Sequence, residues 1–265
     1  MDILRRHCVS TYGAAGPPLL FGHGFGTDQQ AWRYVAPAFA ARHQVVLFDL
    51  VGAGRSDVSA YDFARYQTLD GYVGDLLELI RTLKLPKVVY VGHSVSGIIG
   101  VLAAIQEPEL FERLVLVAAS PCYLNDGDYR GGYDAADLEE VLGFLDRDYR
   151  GWSHAMVPNL VGGDMRAELV EEVLQSFVEV KPTIARQFAR AAFLSDYRAE
   201  LSKVQVPALV VQCAQDTVAP SEVGQYLHAH LAGSQLEILN TTGHYPHLNA
   251  PVATISSLER YLASA

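Results

Sequence analysis

Cysteine is scarce in this chain: Cys8, Cys122 and Cys213 are the three among 265 residues, widely spaced and without a C-x-x-C pair. That odd, scattered set argues against a disulfide framework, offers no zinc signature, and suits a reducing compartment. Long apolar runs are missing too. No stretch approaches the ~20 apolar residues of a membrane span, and Arg5, Arg6 and His7 stand where a signal peptide would need an apolar run. The expected location is the cytoplasm, away from membranes. Basic charge is in deficit, with 20 Lys and Arg against 30 Asp and Glu and no basic cluster longer than Arg5-Arg6. A net charge of −10 repels polyanions, so nucleic acid and anionic lipid are not expected partners. Internal repeats, heptad arrays and low-complexity tracts are absent. What remains is an ordinary globular composition, half hydrophobic and 19% charged, over a length that α/β folds commonly fill as one domain.

Short β-branched runs alternate with segments of helical period, the pattern of a mostly parallel sheet flanked by helices. Six runs read as strands: Leu19 to Phe21, Val45 to Phe48, Val88 to Val91, Leu114 to Val117, Ala208 to Gln212 and Leu236 to Leu239. Cys8 to Tyr12 reads as an edge strand. Tyr72, Leu76, Leu79, Ile80 and Leu83 recur at helical spacing, as do Val223, Tyr226 and Leu227, then Ile255, Leu258 and Leu262. Pro108 and Pro251 stand where one helix should end and another begin.

From Cys122 to about Val204 the alternation stops. Three amphipathic stripes occur there, Leu138/Val141/Leu142/Leu145, Leu169/Val173/Leu174/Phe177 and Ile184/Phe188/Ala192, punctuated by Gly131-Gly132, Gly151, Gly162-Gly163 and Pro182. A helical insertion between two sheet strands is expected to be a lid. The domain reading is therefore a core of residues 1–121 and 205–265 with a lid of 122–204.

The sharpest local signal is an apolar strand, then Gly92-His93-Ser94-Val95-Ser96-Gly97, then the apolar segment Ile98 to Ile105. Strand, tight turn and helix in that order hold a serine hydroxyl at the carboxyl end of a sheet, near a helix N-terminus. Ser96 departs from the usual G-x-S-x-G, although serine is small enough to let the helix approach the next strand. On the motif alone, a Ser/Gly turn capping a helix is the competing reading.

A serine hydroxyl is a weak nucleophile and needs a base, itself held in one tautomer. In this context the acid follows a late strand and the histidine follows the last one. Asp216 comes after Val210-Val211-Gln212-Cys213, and His244 lies in Thr242-Gly243-His244 after Ile238-Leu239. Ser94 as nucleophile, His244 as base and Asp216 as its orienting acid are thus expected to meet. His247, beyond Pro246, is the nearest rival base; His93 should point into the packing beneath the turn, and His228 and His230 should be solvated. Asp49 and Asp57 read as turn or loop residues. The loop Gly22-His23-Gly24-Phe25-Gly26 lacks G-x-G-x-x-G spacing, which argues against a dinucleotide and leaves no cofactor or metal indicated. Its expected use is an oxyanion hole built from the N–H groups of Phe25 and Val95.

With these residues placed, the chain resembles the RsbQ-type branch of the α/β-hydrolases, which groups a bacterial stress-response regulator with plant strigolactone and karrikin receptors. The resemblance runs through Gly22 to Gln29, Arg65 to Tyr72, Val91 to Ser96, Ser120 to Asp126, Ala185 to Ala189 and Thr242 to His247. Ser96 is similar to the plant receptors; Cys122-Tyr123, Ala185 to Ala189 and His244-Tyr245-Pro246-His247 are closer to the bacterial regulator. The resemblance implies a lid of four helices over an apolar pocket, slow hydrolysis of small hydrophobic esters or butenolide-like lactones, and signalling through a protein partner. It also implies a pocket lined by Phe25, Tyr123, Leu142, Trp152, Met156 and Phe193. Read from the residues alone, Trp152, Met156 and Phe193 would instead hold lid helices together.

Overall fold

The computed structural model describes residues 2–162 and 167–264; Gly163, expected to help punctuate the insertion, lies outside them. Seven strands form one sheet: β1 (Ser10–Gly13), β2 (Pro18–Gly22), β3 (Gln44–Leu47), β4 (Val88–His93), β5 (Phe111–Val117), β6 (Ala208–Gln215) and β7 (Gln235–Thr242). Their order is β1-β3-β2-β4-β5-β6-β7. Among the described residues, the edge strand β1 alone runs antiparallel in this sheet, pairing Ser10 with Leu47 and Gly13 with Gln44; the other strand pairings of the sheet are parallel.

The helices are α1 (Ile3–Arg6), α2 (Asp70–Thr82), α3 (Val95–Gln106), α4 (Ala135–Arg147), α5 (Tyr149–Val161), α6 (Ala167–Glu179), α7 (Pro182–Phe193), α8 (Ser221–His230), α9 (Pro246–Asn249) and α10 (Pro251–Ala263). Pro251 opens α10, where its missing N–H costs nothing. Pro108 opens a single 3-10 turn after α3 instead of a longer helix.

The continuous apolar runs of the central strands follow from burial on both faces, since successive side chains point to opposite sides of a sheet. Leu20, Val46, Tyr90, Leu116 and Val210 join the core on one face. Their neighbours Leu19, Phe21, Val45, Val89, Val91, Val115 and Val211 join a second core on the other, with Trp32, Phe39 and Leu258. No helix among the described residues is long and apolar enough to cross a membrane.

Between β5 and β6 the chain leaves the sheet and forms α4 to α7. Three of these carry the stripes read from the sequence; α5 does not belong to that set, although its buried residues Tyr149, Trp152, Ser153, Val157, Leu160 and Val161 follow helical spacing. Pro158 lies inside it, near its C-terminal end. The insertion packs on the loop after β2: ring centroids of Trp152, Phe177, Phe188 and Phe193 lie 5.6 to 6.3 Å from that of Phe25. Arg33, beyond that loop, pairs with Glu172 of α6.

Candidate active site

Ser94 stands at the junction of β4 and α3 with φ 53° and ψ −125°, a backbone conformation that an L residue adopts only at a cost. The sharp turn lifts its side chain off the end of the sheet. His244 follows β7 and Asp216 follows β6, so all three come from carboxyl ends of parallel strands, the edge at which such sheets place ligands.

Their side chains connect. Ser94 Oγ lies 2.8 Å from His244 Nε2, and His244 Nδ1 lies 2.8 Å from Asp216 Oδ2. A carboxylate only accepts, so Nδ1 carries the hydrogen and donates it to Asp216; Nε2 is then left as the acceptor for the serine hydroxyl. Asp216 Oδ1 accepts the N–H groups of Val218 and Ala219 at 2.8 and 3.1 Å. The carboxylate is thereby fixed in rotation as well as position. Ser94, His244 and Asp216 are 6, 4 and 8% exposed, which shields the chain from competing water.

His93, next to Ser94, turns away beneath the elbow and donates Nε2–H to the carbonyl of His244 at 2.8 Å. It ties the elbow to the loop bearing the imidazole, a link that no sequence pattern signals. His247 is buried against it, with ring centroids 4.5 Å apart, and stacks on Trp32 at 4.4 Å. His228 and His230 are exposed on α8. Asp49 is buried and accepts the N–H groups of Gln29 and Arg55, both at 2.9 Å, so it staples two loops together. Asp57 caps a 3-10 turn.

Burial, followed by the neighbouring His244 and Arg33, lowers the pKa of His247 to about 3. Burial and the neighbouring His247 and His244 likewise hold His93 well below the usual imidazole range. Both rings stay neutral in the folded protein, whereas the unfolded chain takes up those protons below about pH 6.5. Their contribution to stability is complete above that pH and is lost as pH falls toward the folded values, with a slope of up to about 1.4 kcal/mol per pH unit for each ring. Tm is therefore expected to drop between pH 7 and pH 5, and His247→Leu to drop less. Equal slopes for the two proteins would contradict this assignment.

An apolar cavity opens above Ser94. The loop after β2 and the elbow contribute Phe25 and Val95 to its lining; the insertion contributes Tyr133, Val141, Trp152, Met156, Leu160, Phe177 and Phe193. Tyr123, Ala192, Val218 and Tyr245 line it as well. Leu142, expected in the lining, is not there: it lies on the buried stripe of α4 with Leu138 and Leu145, and its neighbour Val141 faces the cavity instead. One residue along a helix is a rotation of about 100°, enough to exchange core for cavity. Trp152 also packs on Tyr149 and Phe177, so it both lines the space and joins helices. Burial raises the phenols of Tyr123 and Tyr133, the latter to about 12, so both present neutral hydroxyls. The cavity volume is about 30 Å³.

The chain has both sequence and structural relatives. The Alpha/beta hydrolase family model matches residues 19–256. The chain is similar to a protein named Strigolactone esterase D14 from Arabidopsis thaliana, 42% identical over 98% of each chain. It is also similar to the Karrikin insensitive 2 receptor CA of Petunia hybrida, 38% identical over 97% of this chain and 95% of the relative. Among solved structures, a hydrolase from Oleispira antarctica superposes with a TM-score of 0.97 at 35% identity, covering 100% of this chain and 97% of that one. The chain therefore belongs to the alpha/beta hydrolase family, and its relatives agree with the RsbQ-like branch that its sequence resembles.

Proposed function

We propose that the protein hydrolyses small hydrophobic esters or lactones, butenolide-like lactones among them, by acyl transfer on Ser94. The observation that carries the proposal is a single imidazole hydrogen-bonded at 2.8 Å on one side to a serine hydroxyl and on the other to a buried carboxylate. In this reading Ser94 Oγ attacks the carbonyl carbon while its proton passes to His244 Nε2, and Asp216 stabilises the imidazolium that results. The oxygen of the tetrahedral intermediate is held by the N–H groups of Phe25 and Val95. Collapse breaks the C–O bond, and His244 returns the proton to the departing oxygen, which in a lactone stays tethered to the acyl group. Water, deprotonated by His244, then attacks the acyl-serine and releases the acid.

Residues 1–121 and 205–265 act in this proposal as the hydrolase core and 122–204 as its lid. Ligand pockets commonly offer ~300–1,000 Å³, far above the 30 Å³ free here. Substrate entry accordingly requires the aromatic side chains of the insertion to move apart. That closure also favours a second reading, a small-molecule sensor: if the ligand must displace the lid to bind, occupancy is written on the lid's outer surface, where a protein partner can read it.

Release of p-nitrophenol from short acyl esters, together with a lactone panel that includes a racemic strigolactone analogue, tests both readings. Sustained multiple turnover supports the hydrolase. A single turnover per protein, a ligand-dependent thermal shift and recovery of a complex on pull-down support the sensor. No turnover and no thermal shift with any of these compounds would overturn both.

A further inference from the structure

Two buried hydroxyls outside the triad hold the loop that follows β2. Ser96, fully buried in the first turn of α3, donates its hydroxyl hydrogen to the carbonyl oxygen of His23. Thr27, 3% exposed, donates its hydroxyl hydrogen to the carbonyl of Gly24 at 3.1 Å, and its N–H reaches the same oxygen at 3.4 Å. His23 contributes as well. Its Nε2 accepts the N–H of Leu50 at 2.9 Å, so Nδ1 carries the ring hydrogen and donates it to the carbonyl of Gly24, also at 2.9 Å.

The effect on this loop is directional. A trans peptide is planar with its C=O and N–H opposed, and the peptide whose oxygen belongs to Gly24 has the N–H of Phe25 at its other end. Holding that oxygen inside the turn from Gly24 to Thr27 directs the N–H of Phe25 out of it. Gly26 takes φ 73°, as the third residue of a type II turn must. The loop also runs close to the nucleophile: a Cβ built on Gly24 would stand 3.3 Å from Ser94 Cβ. A glycine-flanked peptide this near the reacting atoms has little steric resistance to flipping, so its orientation depends on the donors that grip it.

We propose that Ser96 and Thr27 are positioning residues for the oxyanion. Their hydroxyls fix two successive peptide planes, 23–24 and 24–25, and keep the N–H of Phe25 aimed at the carbonyl oxygen that becomes charged in the tetrahedral adduct on Ser94. This rests on the reading of Ser94 as an acyl-transfer nucleophile. It also gives a use to the serine that replaces the usual glycine of the elbow, since glycine at 96 leaves the His23 carbonyl without this donor. Neither residue lines the cavity, so the effect falls on the transition state and leaves ground-state binding alone.

The test uses Ser96→Ala and Thr27→Val, both close in shape to the native residue, with Ser96→Gly as a second variant in case alanine disturbs the packing. For p-nitrophenyl acetate, kcat is expected to fall about tenfold in each, equivalent to about 1.4 kcal/mol of barrier, with KM changed less than about twofold. Affinity for phenylboronic acid, which forms a tetrahedral adduct on serine, should fall by the same factor as kcat/KM. Affinity for the unreactive p-nitroanisole should not change. Full kcat in these variants, or equal losses for boronate and p-nitroanisole, would overturn the proposal while leaving the Ser94 reading intact. A wild-type protein that neither hydrolyses the ester nor binds the boronate would overturn the Ser94 reading and this proposal with it.

Discussion

Ser94→Ala is expected to lower turnover of a short acyl ester by about a thousandfold or more, because a nucleophile and its base act as a unit and removing one forfeits the work of the other. The fold should survive, since the hydroxyl contributes one hydrogen bond, to His244, and alanine fills nearly the same space. Backbone strain makes the result sharper. Ser94 is held at φ 53°, ψ −125°, and a non-glycine residue in such a region costs about 1–3 kcal/mol. Ser94→Gly should therefore be as inactive as Ser94→Ala and yet more stable, with Tm raised on the order of 2–4 °C for each kcal/mol relieved. Inactivity combined with a gain in stability would identify a position where the fold accepts strain in order to present a nucleophile. Turnover that persists in either variant would place the nucleophile elsewhere.

Asp216→Asn carries the second large expectation, a fall in kcat of about 10³–10⁴-fold with little change in Tm. The reason lies in what surrounds the carboxylate. Oδ1 accepts two backbone N–H groups, from Val218 and Ala219, so an asparagine must keep its carbonyl oxygen on those amides. Its NH2 is then forced toward His244 Nδ1, which has to become an acceptor. The ring hydrogen moves to Nε2 and faces the serine, and the imidazole can no longer take the serine proton. Measured kcat and KM for p-nitrophenyl acetate check this: kcat should collapse while KM stays nearly constant. A loss below about tenfold would mean that the acid neither sets the tautomer nor stabilises the imidazolium.

The sheet was readable in the sequence because its central strands are buried on both faces, which leaves unbroken apolar runs such as Val88 to Val91 with a loop signal at each end. Ser94, Asp216 and His244 were readable for a related reason. Each follows such a run, so chain order alone assigns them to one edge of the sheet, and the structure brings their side chains within hydrogen-bond reach. The insertion was harder to read. Pro158 conceals α5, although Tyr149, Trp152, Val157 and Leu160 keep helical spacing around it.

The cavity lining was the least legible part. It depends on which degree of rotation each insertion helix adopts over the sheet, and a sequence stripe gives a face, not an angle. Leu142 and Val141 differ by one residue, and the structure puts the second at the cavity. Tyr133, Leu160, Phe177 and Val218 reach the same space from four separate segments, and no local pattern joins them. The grips of Ser96 on His23 and of His93 on His244 were equally hidden, since each is a side chain meeting a backbone carbonyl far away in the chain. Ser96 did leave one trace, as the residue that departs from the expected glycine.

Labelling by a fluorophosphonate, which reacts only with a hydroxyl made nucleophilic by an adjacent base, followed by peptide mapping, addresses the central assignment without requiring the natural substrate. One phosphonyl group per chain on the peptide containing Ser94, its absence in Ser94→Ala and its strong retardation in Asp216→Asn are the predicted results. A wild-type protein that stays unmodified, or that carries the group on any other residue, would contradict the account.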